Sequence, residues 1–292
     1  MSKNVIKSYK GFDKDMKCRG FQYEVGKEYD MDGEIKCCNR GFHACKSPFE
    51  VWDYYDMLNS RFAEVEQSGK IDEEEKSTKV CSSRIKIKAE LKLADIINIG
   101  VEWLRDITSP SKVKTDGALN DNGDRKKQIG SSGYSAQIGS SGYSAKIGSS
   151  GYYAKIGSSG DSAQIGSSGY SAQIGSSGDS AQIGSSGNSA QIGSSGYSAQ
   201  IGSSGNSAQI GSSGDYAKID STGDDSVIMC AGNKSKAKAK VGSWITLAEW
   251  EWSDENNRNV PICVKTEYVD GENIKADTWY QLKNGKFVEV EN

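Results

Sequence analysis

Isoleucine recurs every nine residues from Ile129 to Ile228, at twelve positions without a slip. The unit reads Gly-Ser-Ser-Gly-x-Ser-Ala-Gln-Ile, as in Gly139 to Ile147. A strict short period excludes a globular core for this stretch and predicts a solenoid, in which each unit stacks on its neighbours. Gly-Ser-Ser-Gly-x should turn, with the glycines supplying positive φ and close backbone approach. Ser-Ala-Gln-Ile alternates small or apolar with polar residues, the period-two pattern of a half-buried strand. Ala145 and Ile147 should point inward, Ser144 and Lys146 outward.

Nine residues are too few to close a coil. Two units per coil of eighteen is the favoured geometry, and three sides of six residues is the competing one. One unit cannot stand alone: burying an Ile contributes roughly 1.5–3 kcal/mol, while ordering nine backbones costs about 1–2 kcal/mol each. Stacking at about 4.8 Å must supply the rest. At two units per coil, twelve isoleucines imply six coils, with caps needed at both ends because open edges recruit other chains.

The freely varying position follows the second glycine. It carries Tyr134, Tyr143, Tyr152, Asp161, Tyr170, Asp179, Asn188, Tyr197, Asn206, Asp215 and Asp224. Alternate units share a side, so Tyr134, Tyr152 and Tyr170 should form one column. Tyr is enriched at interfaces, which makes Tyr134, Tyr143, Tyr152, Tyr170 and Tyr197 candidate partner-binding residues. The competing reading treats Tyr, Asp and Asn as interchangeable turn residues.

The remainder divides into an α+β head (1–108), a polar linker or first cap (109–127), the solenoid (128–241) and a β-rich C-terminal cap (242–292). In the head, Gly20–Tyr29 reads as strand, turn and strand. Ser47-Pro48 reads as the cap and first position of a helix carrying Val51, Trp52, Tyr54 and Tyr55. Strands are expected over 61–66 and 80–91, and a helix over 93–107. Lys234–Lys240 reads as the solvent face of a strand. Trp244, Trp250 and Trp252 read as an apolar plug over the last coil. Two hairpins are expected beyond it, one over 263–269 turning at Asp270-Gly271 and one around Asn284-Gly285.

With 36 basic and 39 acidic residues the net charge is −3, so no strong direct nucleic-acid binding is expected. No segment approaches eighteen consecutive apolar residues, and the N-terminus lacks an apolar run of signal-peptide length. Seven cysteines are an odd number, which fits free thiols in a reducing cytoplasm. His43 is the only histidine, which excludes any mechanism needing two imidazoles. Cys18, Cys37, Cys38, His43 and Cys45 have zinc-ligand chemistry. They contain no Cys-x-x-Cys pair, and adjacent cysteines point opposite ways on a strand, so neither metal nor cofactor is expected. Gly-Ser-Ser-Gly lacks the Gly-Lys-Ser/Thr ending of a phosphate loop.

The nonapeptide period resembles the calcium-binding rolls of secreted toxins. Where that family carries Asp, this chain has Ser135, Ser144, Tyr153, Ser162, Ser171 and Ser180, so the likeness implies roll geometry without the Ca²⁺ cage. Ala-Gln-Ile-Gly is also similar to trimeric adhesin head repeats, which use a longer unit.

Tyr9-Lys-Gly-Phe12, Cys18-Arg-Gly-Phe-Gln-Tyr23, Gly26-Lys-Glu-Tyr29 and Gly41-Phe-His-Ala-Cys-Lys-Ser-Pro48 resemble an uncharacterised family of bacteriophage and prophage proteins. Such proteins also carry Gly-rich repeats and a tail similar to Gly242-Ser-Trp-Ile-Thr-Leu-Ala-Glu-Trp250. The resemblance implies a mobile-element origin and the cytoplasm of a bacterial host. The function expected from it is non-enzymatic binding of a host protein or ribonucleoprotein complex, in its sharpest form inhibition of a defence system of the CRISPR type. More distantly, Tyr9-x-Gly11, Val25-Gly26 and Gly41-Phe42-His43 resemble the layout of ADP-ribosyltransferases. That likeness implies roles for Lys10, His43 and Glu66 (or Glu64) as an alternative function, although the Arg-Gly and Ser-Thr-Ser signatures are not intact. A structural phage component that self-associates through the rod is the third expectation.

Overall fold

A computed structural model describes residues 5–74, 77–107, 119–120 and 128–291. The chain forms two compact units, Met1–Trp103 and Leu104–Asn292. The linker expected over 109–127 lies outside the described residues except for Leu119–Asn120.

The first unit is mostly strand: β1 (Ile6–Phe12), β2 (Lys17–Cys18), β3 (Phe21–Gln22), β4 (Glu28–Asp30), β5 (Phe42–Cys45), β6 (Arg61–Glu73) and β7 (Lys79–Leu91); α1 (Leu93–Ile107) follows, and the boundary between the units falls within it. β6 pairs with both β1 and β7, β7 also pairs with β5 and β4, and β5 reaches β1 through Tyr9 and Cys45. Strands β1, β6, β7 and β5 thereby close on themselves. β6 runs to Glu73, well past the expected Glu66, with a pairing irregularity between Ser68 and Ile71. Gly69 sits there with a φ of +83°. Phe12, Phe42, Ala63, Val65, Ile85 and Ile87 fill the interior.

The α+β expectation for the head is realised with little helix. The helix expected after Ser47-Pro48 is a 3-10 turn, Phe49–Asp53, whose first turn has no side-chain cap bond. The Ser47 hydroxyl has no hydrogen-bond partner among the described residues, and its N–H donates to Thr78 Oγ1 at 2.9 Å. Clustering of Phe49, Val51 and Trp52 in the interior offsets the missing helical bonds. The helix over 93–107 forms as expected.

The second unit is a parallel β-solenoid of about seven turns. Each four-residue strand stacks in register on the strand eighteen residues away, as Ile147 on Ile165 and Ile156 on Ile174. Two units therefore make one coil, with two facing nine-stranded sheets. Inward isoleucines form one continuous core from Ile129 to Ile228. The coils do not end there, as six turns would require. Ala237 continues the stack on Ile219, and Ile245 continues it on Ile228. At the other end Leu119 pairs with Ile138.

Positive φ falls elsewhere than on the repeat glycines. It is adopted by the residue after the variable position: Ser144 (55°), Tyr153 (55°), Ser162 (55°) and their equivalents through Lys234. The second glycine of each unit is needed for space instead. A Cβ on Gly187 would lie 2.0 Å from the carbonyl oxygen of Gly169 in the adjacent coil. The first glycine differs: Gly157, Gly175, Gly193 and Gly211 have nothing within 4 Å of a Cβ.

The C-terminal strands also differ from expectation. Trp244–Ser253 pairs with Arg258–Tyr268 as one long hairpin, so 263–269 is half of that hairpin. The hairpin at Asn284-Gly285 is present, both residues having positive φ as a type I′ turn requires. Trp244 and Trp252 are exposed, and Ile245 and Leu247 seal the coil, because the strand's alternation turns Trp244 outward. Lys238 lies within 3.0 Å of buried Asp220, a carboxylate where most other units carry glycine, so Lys234–Lys240 is more than a solvated face.

Candidate binding face and a thiol–imidazole cluster

The two outer faces of the solenoid differ. On one sheet the outward Lys146 and Gln164 are buried, at 6% and 2% exposure. On the other, Lys155, Gln173, Gln191 and Gln209 are exposed beside Gly157, Gly175, Gly193 and Gly211. A glycine column beside a column of long side chains leaves a trough, and its groove of about 1060 Å³ runs from Gln137 to Met229. The repeat pattern ends at Val227 and Met229, which occupy the Gln and Gly columns and are each 53% exposed. Trp244 continues the column on Val227 and packs against Tyr268, with ring centroids 5.0 Å apart and the planes tilted by 51°. Two outward pairs further along the hairpin, Val264, opposite Ala248, is exposed as well. An exposed apolar patch thus follows an amide-rimmed trough, and such patches mark interaction sites.

The candidate tyrosines rim this face. Tyr134 and Tyr152 stack at 6.1 Å and 16°, and Tyr152 and Tyr170 lie 6.2 Å apart, forming the expected column. Tyr143 and Tyr197 lie at the other corner, where Tyr197 meets Tyr216 at 5.0 Å. A flattened coil has two corners and each borders both sheets, so all five tyrosines lie beside the open face without lining the groove itself. Tyr, Asp and Asn are not interchangeable here. Asp179 Oδ1 accepts from the N–H of Tyr197 one coil on (2.8 Å), as Asn188 Oδ1 does from Asn206 (2.9 Å). Asp and Asn tie coils together by hydrogen bonds, whereas neighbouring tyrosines do so by ring contacts, stacked for Tyr134 and Tyr152 and tilted for the others.

The head residues expected from the transferase likeness do not converge. Lys10 is buried, its Nζ donating to the backbone oxygen of His43 (3.0 Å), with Cys18 Sγ at 3.5 Å and the Phe12 and Tyr23 rings at 5.4 and 5.5 Å. Burial lowers its pKa. Lys10 lies opposite Ala63 and Lys7 opposite Glu66, so strand alternation puts Lys10 and Glu66 on opposite faces of the sheet. Glu66 pairs with Lys88 at 2.9 Å, and Glu64 with Lys7 at 2.8 Å.

The His43 ring lies elsewhere, with Cys37 and Cys81, and the ligand atoms of all three are within 4.8 Å of one another. His43 and Cys81 are directly opposed on β5 and β7. Cys37 sits in the turn closed by Lys36 and Arg40. Sequence reading reached Cys37 and His43 but not Cys81, because no local spacing joins a residue on β7 to that turn. Only strand pairing brings them together.

Residues 6–99 match a family model described as a domain of unknown function, DUF7666. No curated protein and no solved structure matches the chain. Among the described residues, no helix is long and apolar enough to cross a membrane.

Proposed function

We propose that the protein is a non-enzymatic binding protein whose solenoid presents one open sheet face to a host protein or ribonucleoprotein complex. The observation that carries this reading is the difference between the two outer faces. One has its outward long side chains buried at Lys146 and Gln164 and half-buried at Gln182, Gln200 and Lys218; the other keeps an open glycine trough that runs into Val227, Met229, Trp244 and Val264. A rigid stack with stacked tyrosines at its rim loses little side-chain entropy on association, which favours protein recognition. The narrower form, inhibition of a bacterial defence complex in the host cytoplasm, follows from the phage-type resemblance of the head and tail motifs. The transferase alternative has no such support, since Lys10 and Glu66 face apart.

The test is retention of a host complex from phage-infected bacterial lysate on the immobilised full chain. The same chain carrying Gly175→Arg and Gly193→Arg serves as the comparison. Both positions open to solvent, so the arginines fill the trough and leave the coil stack untouched. Loss of the complex specifically from the double variant supports the reading. Equal retention by both chains, or no retained complex at all, contradicts it.

A further inference from the structure

We infer that Cys37, His43 and Cys81 form a zinc site with one open coordination position. Tetrahedral Zn²⁺ bonds sulfur at about 2.3 Å and nitrogen at about 2.0–2.1 Å, which spaces its ligands roughly 3.5–3.8 Å apart. Donor atoms already within 4.8 Å of one another need to close by only about 1 Å. Two thiols and an imidazole suit a borderline-soft cation and disfavour Mg²⁺ or Ca²⁺.

The surroundings hold these donors in place. A Cβ on Gly41 would lie 2.2 Å from Cys81 Sγ, and Gly41 has a φ of +134°, so no other residue leaves that thiol room. Cys38 adopts a φ of 65°, which bends the chain between Cys37 and His43. The Cys37 N–H donates to Asp72 Oδ2 at 2.7 Å, and Asp72 lies opposite Cys81 on β6. This bond fixes the backbone that carries the Cys37 thiol. His43 Nε2 accepts the Cys38 N–H at 3.0 Å, so that nitrogen carries a lone pair, which a metal would take in exchange for this hydrogen bond.

Without a cation the Cys37 thiol donates to the Asp72 backbone oxygen and the Cys81 thiol to that of Arg40, each at 3.2 Å, and a metal replaces both bonds. A divalent charge stabilises both thiolates, with two protons released on binding. No fourth His, Cys, Asp or Glu belongs to the group among the described residues. Cys38 Sγ instead lies 3.5 Å from Lys79 Nζ. Cys37 and His43 are only half-buried, so the fourth position opens to water, the arrangement of reactive rather than closed structural zinc.

The experiment titrates the reduced, chelator-stripped full chain with Zn²⁺ against a chromophoric competitor, and with Co²⁺ followed by absorption. One Zn²⁺ per chain is expected, with sulfur-to-cobalt charge-transfer and tetrahedral d–d bands. Cys37→Ser lies at a half-exposed turn that tolerates it and should weaken binding at least 100-fold. Cys81→Ser should do the same, while Cys18→Ser and Cys263→Ser leave affinity unchanged. Absence of stoichiometric binding overturns the inference. So does equal affinity in Cys37→Ser, or an intact mass showing that Cys37 and Cys81 are joined as a disulfide under reducing purification.

Discussion

Alanine at Gly187 should break the coil stack, whereas alanine at Gly193, six residues on, should leave it intact. Neither glycine needs positive φ, so the difference is one of space. At Gly187 the new Cβ would sit 2.0 Å from the Gly169 oxygen and 2.6 Å from its carbonyl carbon. These are backbone atoms, which cannot rotate away. Restoring an ordinary contact requires the coils to separate by more than about 1 Å there. Two bonds flank the contact: Ser186 N–H to Ser167 O at 2.9 Å, and Ser171 N–H to Asn188 O at 2.9 Å. The separation carries both beyond hydrogen-bond range. At about 1 kcal/mol each, plus the desolvation of groups left unpaired, the loss is roughly 2–4 kcal/mol. At Gly193 nothing lies within 4 Å, and the reduced freedom of the unfolded chain should add about 0.4–1 kcal/mol. Urea midpoints, with amide exchange over 183–192 as a local readout, separate the two variants. Equal midpoints would refute the close-approach account of the second glycine.

Three further outcomes follow from the packing. Ser185 buries its hydroxyl inside the solenoid with no partner among the described residues, so Ser185→Ala should stabilise the protein by up to about 1 kcal/mol; a clear loss in denaturant midpoint would mean the hydroxyl is satisfied. Asp179→Ala removes the acceptor of the Tyr197 N–H and should cost about 0.5–1 kcal/mol, while Asp179→Asn keeps it; unfolding curves of the pair that coincide would contradict this. Asp270 is held down to about 2 by the Asn273 side chain and by the N–H groups of Glu272, Ile274 and Asn273. Its folded value lies below the usual carboxylate value, so its contribution is complete above about pH 4 and disappears as pH falls towards 2. Asp270→Asn should flatten that part of the stability–pH profile, and an unchanged acid limb would refute the assignment.

The solenoid was legible because its period is a direct record of its physics. A core isoleucine every nine residues, with polar alternation around it, leaves few ways to bury the apolar side, and Ile147 stacks on Ile165 as two units per coil demand. The conformation within the turn was not legible. Glycine invites a left-handed assignment, but Ser144 and its equivalents take that conformation, and Gly187 is glycine because the adjacent coil's backbone lies against it. The ends were misread because tryptophan suggests burial. Strand alternation turns Trp244 out and Ile245 in. The open face was hidden for another reason: the same Gln-Ile-Gly-Ser strand serves both sheets, and only the surroundings bury one and expose the other. In the head, local motifs pointed to Lys10, His43 and Glu66, while the residues gathered around the imidazole come from the 36–40 turn and from β7.

Site-specific photo-crosslinking tests the open face most directly. A photoreactive phenylalanine analogue at position 193 lies in the trough, and the same group at Lys27, an exposed head residue, is the comparison. Illumination in infected cells should join one host polypeptide to the chain from position 193 and not from position 27. Crosslinking from position 27 alone would contradict the account and move the binding surface to the head.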